Sequence, residues 1–169
     1  VGCSTKKVDL VLNKAAVRSM LSQAGLTKLR AIEDQALREL TEWPLPGRAA
    51  FLKPINGCGS TYVRRCTSLQ DVREHLAAWD SNARHIRQFV ADYVQAGLGM
   101  FLEEEAVGEL LSLEGYCHDG RYFAVGITDR TVLARDVAIE MGNTFPCPHP
   151  RRADIVAKVE AIHELLGIT

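Results

Sequence analysis

The dipeptide Asp119-Gly120 constrains what this chain can fold into more than any other pair of residues. Asp-Gly favours the two-residue hairpin turn whose central residues both have positive φ, so the flanking segments, residues 110–117 and 121–129, are predicted to run antiparallel. In the first of them Leu111 and Leu113 fall on one face and Ser112, Glu114 and Tyr116 on the other. A carboxylate in mid-strand beside a serine and a tyrosine reads equally as the wall of a cleft or as an outward polar face.

Helical signals surround this hairpin. Asn13 can cap a helix in which Val17, Met20, Leu21 and Ala24 share one face, with Gly25 ending it. A second short helix is expected over 33–42, stopped by Trp43-Pro44, and Pro44-Leu-Pro46-Gly47 reads as a linker. Residues 49–53 form an apolar strand, and 62–65 a second extended piece after a loop over 54–61. Ser68 and Asp71 make a capping box for a helix with Leu69, Val72, Leu76 and Trp79 on its buried stripe. Another helix is expected with Ile86, Phe89, Val90, Tyr93 and Val94 on one face and Gly97 past its end. A strand over 100–105 precedes the hairpin, and a last helix over 152–166 carries Ile155, Val159, Ile162 and Leu166 at helical spacing. This order predicts an α+β sheet with helices packed on it rather than a doubly wound parallel fold.

Composition narrows the class further. With 169 residues, 47% of them hydrophobic, the chain can bury a core in one domain or two small ones. A formal net charge of −1 gives no global attraction to nucleic acid or anionic lipid, and the apolar runs are too short for a membrane-spanning helix. The opening VGCSTKKVDL lacks the apolar length of a secretion signal, so a cytoplasmic protein is expected. Cys3, Cys58, Cys66, Cys117 and Cys147 include no CxxC pair and are read as reduced thiols. Cys117-His118 and Cys147-Pro-His149 lack the paired clusters of a structural zinc site, and no metal ligands are assigned. His75, His85 and His163 are placed on helices in packing or surface roles, and His118 at a solvated hairpin tip.

Three segments carry chemistry. Phe51-Leu-Lys53-Pro54 followed by Asn56-Gly57-Cys58-Gly59-Ser60 is a strand delivering a lysine into a glycine-serine loop. Glycines let main-chain N–H groups approach phosphate oxygens, and the hydroxyl and the ammonium add a donor and a charge. The lysine precedes the glycines, so this is not a Walker A loop, and a plain glycine-rich turn is its bland alternative. Met100-Phe-Leu-Glu-Glu-Glu105 is an apolar strand entering an acidic run; it suits a purine and its ribose, or a solvated strand end. The Ser112, Glu114 and Tyr116 face is the third.

Taken together and in order, these segments resemble the ATP-grasp superfamily, specifically its carboxylate–amine ligases. The residues that carry the resemblance are Asn13-Lys14, Arg18, Leu21 and Gly25-Leu26, then Lys53-Pro54, Gly57, Gly59-Ser60 and Val63. It continues through Ser68 and Asp71, Leu102-Glu103-Glu104-Glu105 and Gly108, and then Ser112, Glu114 and Gly115. Gly126 to Arg130 and Glu140-Met-Gly142 with Phe145-Pro146 complete it, so the match covers nearly the whole chain.

The resemblance implies roles position by position. Lys14 and Lys53 would hold the nucleotide phosphates beneath a lid loop containing Gly57, Gly59, Ser60 and Thr61, and Glu103, Glu104, Glu105 and Ala106 would meet the adenine. The ribose carboxylate would fall at Leu110, with Glu109 as a substitute, while Arg130 would lie near the transferred phosphate and Glu114 and Glu140 near the substrate. It implies residues 1–48 as a helical part and linker, 49–109 as the lid subdomain and 110–169 as a partial C-terminal subdomain. The acidic set that binds two magnesium ions in the family is expected outside this sequence, so the chain is read as a piece of a longer ligase, inactive alone. Expected partners are ATP, Mg2+ and small carboxylate and amine substrates, with a homodimer left open and neither nucleic acid nor membrane. A non-catalytic nucleotide-binding or regulatory module, and a biotin-carboxylase-like or purine-biosynthetic enzyme, are the alternatives.

Overall fold

Asn13 closes one helix and opens the next. In the computed structural model, which describes residues 4–57, 59–90, 99–132 and 140–168, its N–H donates back into α1 (Thr5–Leu12) and its side chain accepts the N–H of Ala16 at 2.9 Å. The helix it caps, α2 (Lys14–Gln23), ends at Gly25 with φ 70°, where Gly25 donates to Ser22 and Leu26 to Leu21. That paired closure needs a left-handed residue, which glycine supplies without strain. No helix was expected over α1, whose residues are all at least partly exposed.

The segment predicted as a helix over 33–42 divides instead. Strand β1 (Ala31–Glu33) comes first, and α3 (Asp34–Arg38) is only five residues long. The strand exists because Ala31, Ile32 and Glu33 pair with Glu103, Leu102 and Phe101 of β4 (Met100–Glu104). That long-range ladder overrides local helix propensity. The sheet is completed by β2 (Ala50–Pro54) and β3 (Arg64–Cys66), in the order β1-β4-β2-β3, all neighbours antiparallel. It therefore draws one strand from before residue 48 and three from after it.

Alternation gives this sheet two unlike faces. Ala50, Leu52, Met100 and Leu102 point to a core closed by Leu37 of α3 and by Val72, Leu76 and Trp79 of α4 (Leu69–Val90). Cys66 lies in that core, where burial pushes its thiol up to about 11. Phe51, Lys53, Phe101 and Glu103 point the other way, and Ala15 of α2 packs there with Phe101 and Ile55.

Helix α4 begins on the predicted capping box: Ser68 Oγ accepts the Asp71 N–H at 3.2 Å, and the Asp71 carboxylate accepts the N–H groups of Thr67 and Ser68 at 2.7 and 3.0 Å. The Thr67 N–H, chiefly, holds the Asp71 carboxyl below the usual aspartate range. Two helices were expected from 68 to 97, but α4 runs unbroken from Leu69 to Val90. The predicted positions Tyr93, Val94 and Gly97 lie outside the described residues, as do the side chains of His85, Ile86, Phe89 and Val90.

The second sheet is β5 (Leu111–His118), β6 (Arg121–Val132) and β7 (Glu140–Thr144), antiparallel throughout. Its turn is the predicted one, with φ of 49° at Asp119 and 74° at Gly120. Opposite Gly115 the register slips by one residue and Val125 bulges out. A Cβ on Gly115 would stand 2.6 Å from the Phe123 carbonyl oxygen, so the bulge needs glycine there. Helix α5 (Arg152–Leu166) packs on this sheet, with the His163 ring 4.4 Å from that of Tyr122. Among the described residues Cys66, Cys117 and Cys147 are free thiols, and no helix is long and apolar enough to cross a membrane.

Candidate functional site

Lys14 opens α2 against the end of β2: its N–H donates to the Ile55 carbonyl at 3.0 Å and its ammonium to the Gly57 carbonyl at 2.5 Å. Lys53 projects from β2 on the sheet face opposite Leu52, with its Nζ 5.1 Å from the centre of the Phe101 ring. The two lysines, Pro54, Gly57, Gly59, Ser60, Thr61 and Val63 together line one cavity of about 220 Å³. Helix start, strand and loop thus bring two cations and a run of small residues to one hollow.

The loop over this cavity holds an unusual backbone. Gly59, Ser60 and Tyr62 have φ of 62°, 55° and 57°. Left-handed conformation is natural for glycine but strained for serine and tyrosine, and such residues are held by their surroundings. Here Val63 donates to the Ser60 carbonyl at 3.1 Å, His75 Nε2 lies 2.9 Å from the Tyr62 carbonyl, and the Tyr62 ring meets Trp79 edge-on at 5.4 Å. One end of the loop is fastened to α4, and the Gly57 end is held by Lys14.

The three consecutive glutamates have three different settings. Glu103 is 9% exposed and is shared between Lys53 and Arg18, one carboxylate oxygen to each. Glu104 points to the opposite face, accepts the Arg30 N–H at 3.2 Å and pairs with Arg48. The Arg30 N–H, chiefly, and the Arg48 guanidinium hold its carboxyl below the usual glutamate range. Glu105 receives a two-pronged contact from Arg65 at 2.9 and 3.1 Å, while its N–H donates to Ala49. Ala106 follows the strand, and Glu109, exposed, lies 3.1 Å from His149 Nε2.

Arg130, Glu114 and Glu140 belong to the second sheet, and Arg130 and Glu114 are not among the described residues around the lysine cavity. Glu114 accepts the Thr128 hydroxyl at 3.1 Å, and the Arg130 N–H donates to Leu110 at 3.0 Å, opposite Asn143 on β7. Residue Glu140 lies on β7, and its side chain is outside the described set, as is Cys58 of the loop. Among the described residues no group of three or more His, Cys, Asp or Glu could hold a metal ion.

Sequence reasoning gave Arg18 no role, yet it stands one helical turn after Lys14 and reaches Glu103. The i,i+4 spacing from Lys14 puts both on one helix face and was the available signal.

No protein-family model and no curated protein matches the sequence. Solved structures do match it in three dimensions. An L-amino acid ligase from Bacillus licheniformis superposes over 99% of this chain and 36% of its own, with TM-score 0.67 and 21% identity. The VanG D-Ala:D-Ser ligase from Enterococcus faecalis covers 100% of this chain and 49% of its own, with TM-score 0.62 and 14% identity. An N5-carboxyaminoimidazole ribonucleotide synthetase, solved as an ADP complex, covers 93% and 38%, with TM-score 0.56 and 16% identity. The chain therefore spans between about a third and a half of the length of these structures, and it shares their fold. That fold is ATP-grasp, the α+β class expected from the hairpin and the strand order.

Proposed function

We propose that this chain, whose fold is that of the ATP-grasp ligases, is the nucleotide-binding part of an enzyme that joins a carboxylate to an amine at the expense of ATP. The observation that carries the reading is the convergence of Lys14 and Lys53 on one cavity under the Gly57–Gly59–Ser60–Thr61 loop.

ATP fits this donor set. Two ammonium groups offset the charge of the β and γ phosphate oxygens, while the loop's N–H groups and the Ser60 and Thr61 hydroxyls can donate to them. The carboxylate oxygen of the substrate attacks the γ phosphorus, the bond to the bridging oxygen breaks, and ADP leaves. The amine then attacks the acyl carbon, the phosphate departs, and an amide forms with loss of a proton. In such transfers the protein supplies chiefly position and electrostatic stabilisation, which is what fixed lysines at a preformed hollow provide. The expected magnesium has no ligand set among the described residues, so the part proposed for this chain is to hold and orient the nucleotide. Ala106 and Glu105 before it would border the base, while Glu103 is engaged with Lys53 and Arg18 and Glu104 is turned to the opposite face. From the second sheet Arg130 would lie near the transferred phosphate, and Glu114 and Glu140 would serve the acyl side.

A second reading, a nucleotide-binding module without turnover, is favoured by Leu110, half exposed where the resemblance expects the ribose carboxylate. Titration of MgATP into the intact protein carrying this chain, followed by phosphate-release assays with amino acids, separates the two. Lys53→Ala is expected to weaken MgATP at least about tenfold, as loss of a charge-assisted contact does. Unchanged binding and phosphate release in that variant would sink the assignment of Lys53, and ATP binding without any release would select the module.

A further inference from the structure

The sheet face that carries Lys53 also carries a carboxylate, and a carboxylate beside a phosphate site is electrostatically unfavourable. Glu103 is nearly buried, with 9% of its side chain exposed, and its Oε2 sits on Lys53. A Lys53–Glu103 pair alone would be neutral and would cancel the cation that the cavity needs. Arg18 changes this balance. Its Nε takes the other oxygen, Oε1, from α2, and its own NH1 is steadied by the Thr27 hydroxyl at 3.3 Å. The charges of Lys14, Lys53, Arg18 and Glu103 then sum to two net positive charges, with both lysines on the cavity itself.

We infer that Arg18 is a positioning residue for the phosphate site: by neutralising Glu103 from behind, it lets that carboxylate orient Lys53 without cancelling its charge toward the ligand. The geometry supports a relay of this kind. Lys53 and Glu103 are diagonal neighbours on antiparallel strands, since Phe51 stands opposite Glu103 and Lys53 opposite Phe101. Arg18 and Lys14 lie one turn apart on α2, so a single helix presents one cation to the cavity and the other to the carboxylate. Arg18 is 24% exposed at its side chain and is not among the residues around the cavity, so it acts through Glu103 rather than on the ligand.

This inference rests on the nucleotide reading, and its test keeps the two apart. In the intact protein, Arg18→Met is expected to raise the Kd for MgATP by about tenfold, the effect of one unit charge lost close to a partly screened site. The Kd for adenosine, which has no phosphate, should stay unchanged. Arg18→Lys, which keeps the charge, should restore MgATP binding. The second substitution in Arg18→Met/Glu103→Gln removes the uncompensated carboxylate and should recover most of the lost affinity, a coupling that a merely structural arginine would not show. Thermal melting of each variant reports whether α2 stays folded, and the double variant remains decisive if Arg18→Met alone is destabilised. MgATP affinity unaltered in Arg18→Met, equal loss for adenosine and ATP, or no recovery in the double variant would each overturn the inference while leaving the nucleotide reading intact. Absence of MgATP binding by the unaltered protein would overturn both.

Discussion

The two faces of the four-stranded sheet are built from the same strands and do opposite things. Leu52 and Lys53 are neighbours in β2, as are Leu102 and Glu103 in β4, yet the leucines are fully buried beneath α3 and α4 while Glu103 meets Arg18 of α2 and Lys53 borders the cavity. Period-two alternation turns each strand into a divider, with stability on one side and chemistry on the other. Glu103 and Glu105 are tolerated on the second face because each meets a cation: Glu103 has Lys53 and Arg18, and Glu105 has Arg65.

That division can be broken from the apolar side first. Leu102→Ala is expected to cost about 2–5 kcal/mol of unfolding free energy by urea denaturation, because a closed core cannot collapse around the void. Lys53→Ala, one sheet thickness away, should cost under about 1.5 kcal/mol, since Lys53 is partly exposed and Glu103 keeps Arg18. Equal costs would mean that the two faces are not distinct in energy.

Gly99→Ala tests the edge between them. Gly99 has φ of 73°, and a Cβ there would lie 2.8 Å from Asp34 Cγ, whose carboxylate accepts the Met100 N–H. A loss of about 1–3 kcal/mol is expected from backbone strain and crowding, read in the same denaturation assay.

The smallest effect sharpens the comparison by pH. The carboxyls of Asp71 and Glu104 titrate below their usual ranges when folded, so each adds stability above its unfolded pKa, near 4. That contribution disappears as the pH falls through the lower folded value. Melting temperatures of Asp71→Asn and Glu104→Gln between pH 7 and 2 should therefore fall less steeply on the acid side than those of the unaltered protein. Substitution of Asp71 alone is expected to cost about 1 kcal/mol at neutral pH, as loss of a helix cap does.

What could be read directly was local. Asn13, Gly25, the Ser68–Asp71 box, the Asp119-Gly120 turn and α5 all stand where sequence places them, because each signal and its hydrogen-bond partner lie within a few residues. The short strand β1 was hidden because three residues carry no periodic pattern, and only β4 makes them a strand. The unbroken course of α4 was hidden too: two apolar stripes, one through Trp79 and one from Ile86, read as two helices, yet one helix runs from Leu69 to Val90.

The sequence by itself determined the α+β class, the residue types at the glycine loop and the two lysines worth watching. Only the tertiary structure decided that these lysines share a cavity, that Glu103 stands between Lys53 and Arg18, and that Glu104 faces away from both. The physical reason is distance along the chain. Caps and turns are settled by dihedral angles within one turn, whereas Lys14 meets Gly57 across 43 residues and Lys53 meets Glu103 across 50, contacts that exist only once the sheet has paired.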